Sequence, residues 1–266
     1  MNIVFYIIIF LIGACIGSFY ATLTQRVIKE KRMFSIHSHC SKCGEKLRIL
    51  EKLPIISYLL LKGKCKYCKK KIGTHYILLE TLTAVLFVIA AYTFNLYEIN
   101  LINIFSFLFV ILYFSYIILA ASLDYKQRTM PAMLLAYGIM ISMFYMVYLL
   151  FTQSTTLLAS TICLGIVAVL LLTNIITTKK RAQSNYIIDL LTMLLVMLIF
   201  TGEIVCILTI AGTLLSVGLY ILINKIRESK SKSKKAKKTY SLNMKIVYIM
   251  AILNIFIFLS IININN

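Results

Sequence analysis

Apolar residues along this chain fall in long unbroken blocks, without the period of two or 3.6 that marks a half-buried strand or a surface helix. The blocks lie near 3–24, 76–95, 101–123, 132–152, 156–176, 186–201, 204–224 and 246–262. About 20 apolar residues rising 1.5 Å each cross a hydrocarbon core of about 30 Å. The pattern therefore predicts an all-α polytopic membrane protein with about eight transmembrane helices. The sixth block is short. No basic stretch precedes the first block and no small-residue cleavage site follows it. Its Gly13, Ala14, Gly17 and Ser18 suit close helix packing, so it is expected to be a retained span. One sizeable polar insertion interrupts the series. The expected division is a first transmembrane helix at 1–24, an insertion at 25–75, a transmembrane bundle at 76–224, a basic loop at 225–245, and a last helix with a short tail at 246–266.

Composition supports this picture: 61% of residues are hydrophobic and the mean hydropathy is +0.90, more than a soluble core can bury. The net charge of +19 suggests nucleic acid only until it is located. All 28 Lys and Arg lie in 25–75, 124–131, 177–185 and 225–245, and the connections at 96–100, 153–155 and 202–203 have none. By the positive-inside rule those four segments face the cytoplasm, and alternation over eight spans puts both termini outside. A basic cytoplasmic face is the ordinary result of membrane insertion, so no nucleic-acid partner is expected. The bilayer is the expected partner instead. The run Ser229-Lys230-Ser231-Lys232-Ser233-Lys234-Lys235 reads as a solvated connector near anionic head groups.

An insertion of this size has no room for its own hydrophobic core and needs a covalent or metal staple. Cys40-Ser41-Lys42-Cys43-Gly44 and Cys65-Lys66-Tyr67-Cys68 supply two C-x-x-C pairs with 21 residues between them. That spacing is close to a ribbon in which four thiolates surround one tetrahedral ion, giving a small zinc-ribbon-like insertion between helices 1 and 2. Gly44 suits a tight turn after the first pair, and the nearby lysines favour thiolates. Two disulfides or four free thiols are the alternative, and a reducing cytoplasm favours Zn2+. Four ligands leave no open position, so the metal is structural. Cys15, Cys163 and Cys206 lie in apolar blocks and are expected to pack there.

Only two of the nine acidic residues are aspartates, Asp124 and Asp189, and each stands where an apolar block meets a basic segment. Ionisable groups at membrane depth cost roughly 2.5–3.5 kcal/mol, which makes them candidates for function. Two carboxyls brought together around one water cannot both ionise. Sharing a proton, they supply a base that activates water and an acid that protonates a leaving amine. Helix capping at each aspartate is the bland alternative. Glu80, just after His75 and Tyr76, is a third acid within a span and is expected to pair with a lysine or a neighbouring helix. Glu203 lies in an outer turn, and Glu30, Glu45, Glu51, Glu98 and Glu228 lie in loops where solvation accounts for them.

Together these residues resemble the bacterial type IV prepilin peptidases over about the first 200 positions. Gly17-Ser18-Phe19 with Arg26 is similar to the family's opening motif, and the cysteine pairs occupy its insertion. Leu53-Pro54-Ile55-Ile56-Ser57-Tyr58, Gly63-Lys64-Cys65, Ile72, Tyr76 and Glu80 follow its order, and Asp124 with Pro131 matches its first aspartate and the proline beyond. The chain departs from the pattern near the chemistry. The family's glycine-x-glycine-aspartate is Tyr186-Ile187-Ile188-Asp189 here, Ala21 replaces an asparagine, and the C-terminal phenylalanine-glycine-proline signature is missing.

The resemblance implies a membrane aspartyl endopeptidase that uses Asp124 and Asp189. It would remove the leader of type IV prepilin or pseudopilin precursors after a glycine, at the cytoplasmic side of the inner membrane. S-adenosylmethionine-dependent methylation of the new terminus is implied by resemblance alone. Loss of the two glycines leaves a second reading open, an inactive paralogue that binds pilins during assembly. A zinc-sensing or redox protein and a proton-relay transporter are further classes, and the sequence contains no inverted repeat to support the transporter.

Overall fold

The computed structural model describes residues 3–28, 40, 43–48, 51, 53–98, 100–127, 131–152, 165–166, 169, 186–230 and 246–265. Their regular elements are all helices, with no strand longer than an isolated bridge among the described residues. In chain order they form α1 (Ile3–Ile28), the short α2 (Ile56–Leu60), α3 (Thr74–Thr93), α4 (Leu101–Gln127), α5 (Ala132–Phe151), α6 (Tyr186–Lys230) and α7 (Ile246–Asn265).

Five stretches are long and apolar enough to cross a membrane: Ile3–Val27, Thr74–Thr93, Leu101–Leu123, Met133–Phe151 and Leu190–Tyr220; Ile246–Ile261 is a shorter apolar helix. The chain is thus a multi-pass membrane protein, but the described residues do not reach the expected count of about eight. One reason is that the block 156–176 falls almost entirely outside them. A second is that the block 246–262 holds only the shorter apolar helix, and a third is that the blocks 186–201 and 204–224 appear as the single element α6. Its apolar part, Leu190–Tyr220, would be about 46 Å long if straight, more than one bilayer crossing. It is broken at Gly202, whose φ of 78° and ψ of 175° are not helical and fall where L side chains are strained. The Cys206 thiol lies 4.0 Å from the carbonyl of Leu194, although residues twelve apart in a straight helix are about 18 Å apart. The helix therefore folds back on itself at the connection expected at 202–203.

The chain divides into two compact units, 1–115 and 116–266. In the first, α1 packs against α3 through a seam of small residues. Ala14, Ala21 and Thr24 of α1 and Thr83, Ala84 and Ala91 of α3 are fully buried. Two glycines set the approach. A Cβ on Gly13 would come within 2.9 Å of the Ala84 backbone, and one on Gly17 would collide with the Thr83 hydroxyl and approach the Glu80 Cα to 2.9 Å. Within a bilayer no hydrophobic force drives helices together, so this close backbone contact is what holds the pair. Farther along, Ile9, Phe87 and Ala91 form a core with Phe5 and Phe107 around it. Cys15 is exposed on α1, contrary to the packing expected for it, because Gly13, Ala14 and Gly17 take the buried face.

In the second unit the buried residues include Tyr116, Ile117 and Ala120 of α4, Leu135, Ile139 and Ile141 of α5, Met193, Val196 and Met197 of α6, and Val247 and Ala251 of α7. Tyr145 of α5 stacks on Phe200 of α6 with ring centroids 4.4 Å apart and planes 10° from parallel. Cys206 is buried, as its apolar setting suggested, while Cys163 lies outside the described residues.

Gly17→Ala is expected to lower the thermal midpoint of the detergent-solubilised chain, at a cost of about 1–3 kcal/mol for overpacking. Adding Thr83→Ala removes only the hydroxyl contact and leaves the Glu80 backbone in place. Partial recovery of the midpoint is therefore expected, not full recovery.

Candidate metal centre and its anchor on the membrane helices

Two chain turns of the same design bring the four cysteines together. In the first, the Gly44 N–H donates to the Cys40 carbonyl and the Cys40 N–H to the Glu45 carbonyl, each at 2.9 Å. In the second, the Lys69 N–H donates to the Cys65 carbonyl at 3.0 Å and the Cys65 N–H to the Lys70 carbonyl at 2.9 Å. Cys40, Cys43, Gly44 and Glu45 thus correspond to Cys65, Cys68, Lys69 and Lys70. The residue after each second cysteine is left-handed, with φ of 76° at Gly44 and 56° at Lys69. Glycine takes that conformation without strain, and for lysine it costs roughly 1–2 kcal/mol.

The four sulfurs all lie within 4.8 Å of one another. Zinc–sulfur bonds of about 2.3 Å place the corners of a tetrahedral site about 3.8 Å apart, so the cluster is compact enough for one ion. Electrostatics point the same way. The Glu45 backbone N–H draws the Cys43 thiol down, yet desolvation together with the hydrogen bonds of Cys40 and Cys68 and the charge of Cys40 outweighs it and pushes the thiol up to about 11. Four thiolates crowded together need a cation to offset their repulsion, and the donor set fits a soft tetrahedral metal.

Glu51, expected to be a solvated loop residue, instead clasps the two turns. Its carboxylate accepts the Arg48 N–H at 3.0 Å and the Tyr67 hydroxyl at 3.3 Å, and it lies 3.4 Å from the Lys66 ammonium. The Arg48 N–H first, and then Lys66 and Tyr67, hold it below the ordinary carboxylate range. A hairpin closed by the Lys64–Lys71 bridge and the Ile72 N–H to Gly63 carbonyl bond carries the second pair of cysteines.

Glu80 also departs from expectation. Its partner is neither a lysine nor another span but the backbone N–H of Ile55, 2.8 Å from Oε2. The carboxylate is only 7% exposed. Ile55 has φ of 60° and ψ of −54°, and the Ile56 N–H bonds back to the Pro54 carbonyl across it. This is a γ-turn of the rarer, strained hand, unusual for a β-branched residue. A third tie, also missed from the sequence, joins the end of α1 to the start of α3: the Gln25 amide donates to His75 Nε2 at 3.1 Å. Only the glutamate's depth inside an apolar block hinted at these contacts.

Of the expected catalytic pair, Asp124 falls in the last turn of α4 and Asp189 in the first turn of α6. Their side chains lie outside the described residues.

Residues 11–94 match the family model described as the bacterial Peptidase A24 N-terminal domain. The chain is similar to a prepilin leader peptidase/N-methyltransferase of Vibrio cholerae, with 31% identity over 142 residues covering 50% of this chain and 53% of that protein. Proteins of the same name from Bacillus subtilis and Myxococcus xanthus are 37% and 35% identical over 89 and 83 residues. Those alignments cover 34% and 31% of this chain, and 36% and 25% of the relatives. The chain therefore spans about half or less of the length of these relatives. No solved structure matches it.

The anchor and the first cysteine turn can each be tested by substitution. Glu80→Gln keeps an oxygen for the Ile55 N–H and is expected to protect residues 25–75 from protease as well as the parent does. Glu80→Ala strands that N–H at a cost of about 1–3 kcal/mol and is expected to speed cleavage there. At the first turn nothing lies within 4 Å of a Cβ on Gly44, so Gly44→Ala tests backbone conformation alone. It is expected to weaken zinc retention against a competing chelator by about 1 kcal/mol, and Gly44→Asn, which tolerates φ > 0, by less.

Proposed function

We propose that this chain, whose residues 11–94 match the bacterial Peptidase A24 N-terminal domain, is a type IV prepilin peptidase, an aspartyl endopeptidase of the inner membrane. It removes the leader from type IV prepilin or pseudopilin precursors after a glycine. The observation that carries this reading is the match of residues 11–94 to the Peptidase A24 N-terminal domain. The similarity to the Vibrio cholerae protein, which covers half of this chain, supports extending it beyond that domain.

Asp124 and Asp189 are the proposed dyad. Each is at the end of a long apolar helix, where a carboxyl can reach both water and the membrane boundary. In the working enzyme they would share one proton. The ionised partner takes a proton from water as the water attacks the scissile carbonyl, and the protonated partner delivers its own to the departing amine. The dyad faces the cytoplasm in this reading, with both termini outside, as the positions of Lys and Arg require. Residues 76–224 form the catalytic bundle and 25–75 a platform that Zn2+ staples through Cys40, Cys43, Cys65 and Cys68. That ion contributes folding energy and no open coordination position. Those relatives are also named N-methyltransferases, and the proposal extends to methylation of the product's new terminus with S-adenosylmethionine as methyl donor.

A second reading, a catalytically inactive paralogue that binds pilins during assembly, is favoured by one observation. Tyr186, Ile187 and Ile188 precede Asp189 where the family has two glycines. Bulky side chains there alter how closely the backbone approaches the dyad, and displacement of about 1 Å costs about a hundredfold in rate.

Co-expression with a prepilin separates the two readings. Wild type is expected to give a product shortened by the leader, while Asp124→Asn and Asp189→Asn each lose cleavage by about a hundredfold or more. Unprocessed precursor with a folded, zinc-loaded wild type would establish the binding paralogue.

A further inference from the structure

The segment between the two cysteine turns carries an apolar patch that the metal site does not use. Ile56, Leu59 and Leu60 of α2 are 45%, 64% and 76% exposed. In water such a cluster on a five-residue helix would be a liability, and its position shows why it is not in water. The 20 residues of α3 rise about 30 Å, just enough to cross a hydrocarbon core, so the whole helix is needed to span it. Glu80 is six residues, or about 9 Å, along α3 from Thr74. Its carboxylate holds the Ile55 N–H at 2.8 Å, and α2 begins at the next residue. The start of α2 is therefore fixed at or below the level where α3 enters the membrane.

The hairpin after α2 has the opposite chemistry. Lys62, Lys64, Lys66, Lys69, Lys70 and Lys71 are all exposed. No acidic residue occurs between Glu51 and Glu80, and only Lys66 has an ion pair with Glu51 among the described contacts. Apolar side chains at interfacial depth beside a dense cationic rim match an anionic bilayer surface, where each lysine near the phosphates contributes about 1 kcal/mol.

We infer that α2 and the lysine hairpin dock on the surrounding bilayer: Ile56, Leu59 and Leu60 enter the boundary between head groups and acyl chains, and the lysines meet anionic lipid phosphates. The contact complements the Glu80 hydrogen bond, so that lipid and α3 together fix the metal-bearing insertion against the membrane. The inference is independent of any peptidase activity.

The chain has no tryptophan, so Leu60→Trp places a single reporter on the patch, with Leu59→Trp as a second in case the first perturbs folding. The full-length variants are reconstituted in nanodiscs of phosphatidylcholine with phosphatidylglycerol, and zinc content confirms the fold. Blue-shifted emission is expected, lost mostly to lipids brominated high on the acyl chain and little affected by aqueous iodide. Removing phosphatidylglycerol is expected to shift the emission to the red and to raise iodide quenching. Strong iodide quenching with no effect of brominated lipid would overturn the docking. Unchanged emission without phosphatidylglycerol would overturn the role assigned to the lysines. Shielding that appears only when an apolar peptide is added would make the patch a peptide groove and overturn the inference.

Discussion

The hydrogen bond from the Ile55 amide to the Glu80 carboxylate is the constraint on which the N-terminal unit depends. A carboxylate buried in an apolar helix loses its hydration, and that cost is tolerable only when a donor replaces the water. The donor comes from a backbone turn that is itself strained, so each group compensates for the other's unfavourable state. This exchange also fixes where the insertion sits. Glu80 is in a membrane helix and Ile55 is in the polar insertion, so one bond of 2.8 Å ties the two environments together. The bond in turn requires α3 to be where it is, and Gly17 secures that position by admitting the Glu80 backbone where any side chain would collide.

From that anchor the structure continues to the metal centre. α2 begins after the γ-turn, and the Gly63 N–H closes it by donating to the Tyr58 carbonyl at 2.9 Å. The bridged hairpin then presents Cys65 and Cys68 and runs through Gly73 into α3. The second cysteine turn is consequently held at both ends by the same membrane helix. The first has no such support in its own segment, and Glu51 fastens it to the second by gathering Arg48, Lys66 and Tyr67. The described part of so short an insertion is thus held by a compact four-cysteine cluster, a carboxylate clasp and a hydrogen bond to a membrane helix, and not by a hydrophobic core of its own.

The distribution of charge follows from the same arrangement. Acidic residues are few, and two of those whose side chains are described in this region act as fasteners, Glu51 clasping the cysteine turns and Glu80 anchoring the insertion to α3. The lysines outnumber them heavily and stay on the surface of the hairpin. A basic surface is suited to an anionic membrane face, so the excess positive charge describes the solvent that this part of the chain meets more than any soluble ligand.

Much of this was legible in the sequence, and the boundary of what was not is physical. Block hydrophobicity determined the membrane class and placed α1, α3, α4 and α5 within a few residues, because bilayer thickness imposes a length on every span. Paired cysteines at ribbon spacing foretold the four-sulfur cluster, because four thiols on two turns are a local pattern. Gly44 was readable as a turn for the same reason. The sequence did not determine the partner of Glu80, the clasp at Glu51 or the contact between Gln25 and His75. Those join positions 25, 16 and 50 residues apart, as Ile55–Glu80, Glu51–Tyr67 and Gln25–His75, and no local periodicity encodes such a meeting. Only the tertiary structure decided them: the close approach of α1 and α3 at two glycines accompanies the Gln25–His75 contact, while the folding of the insertion onto itself and onto α3 makes the other two.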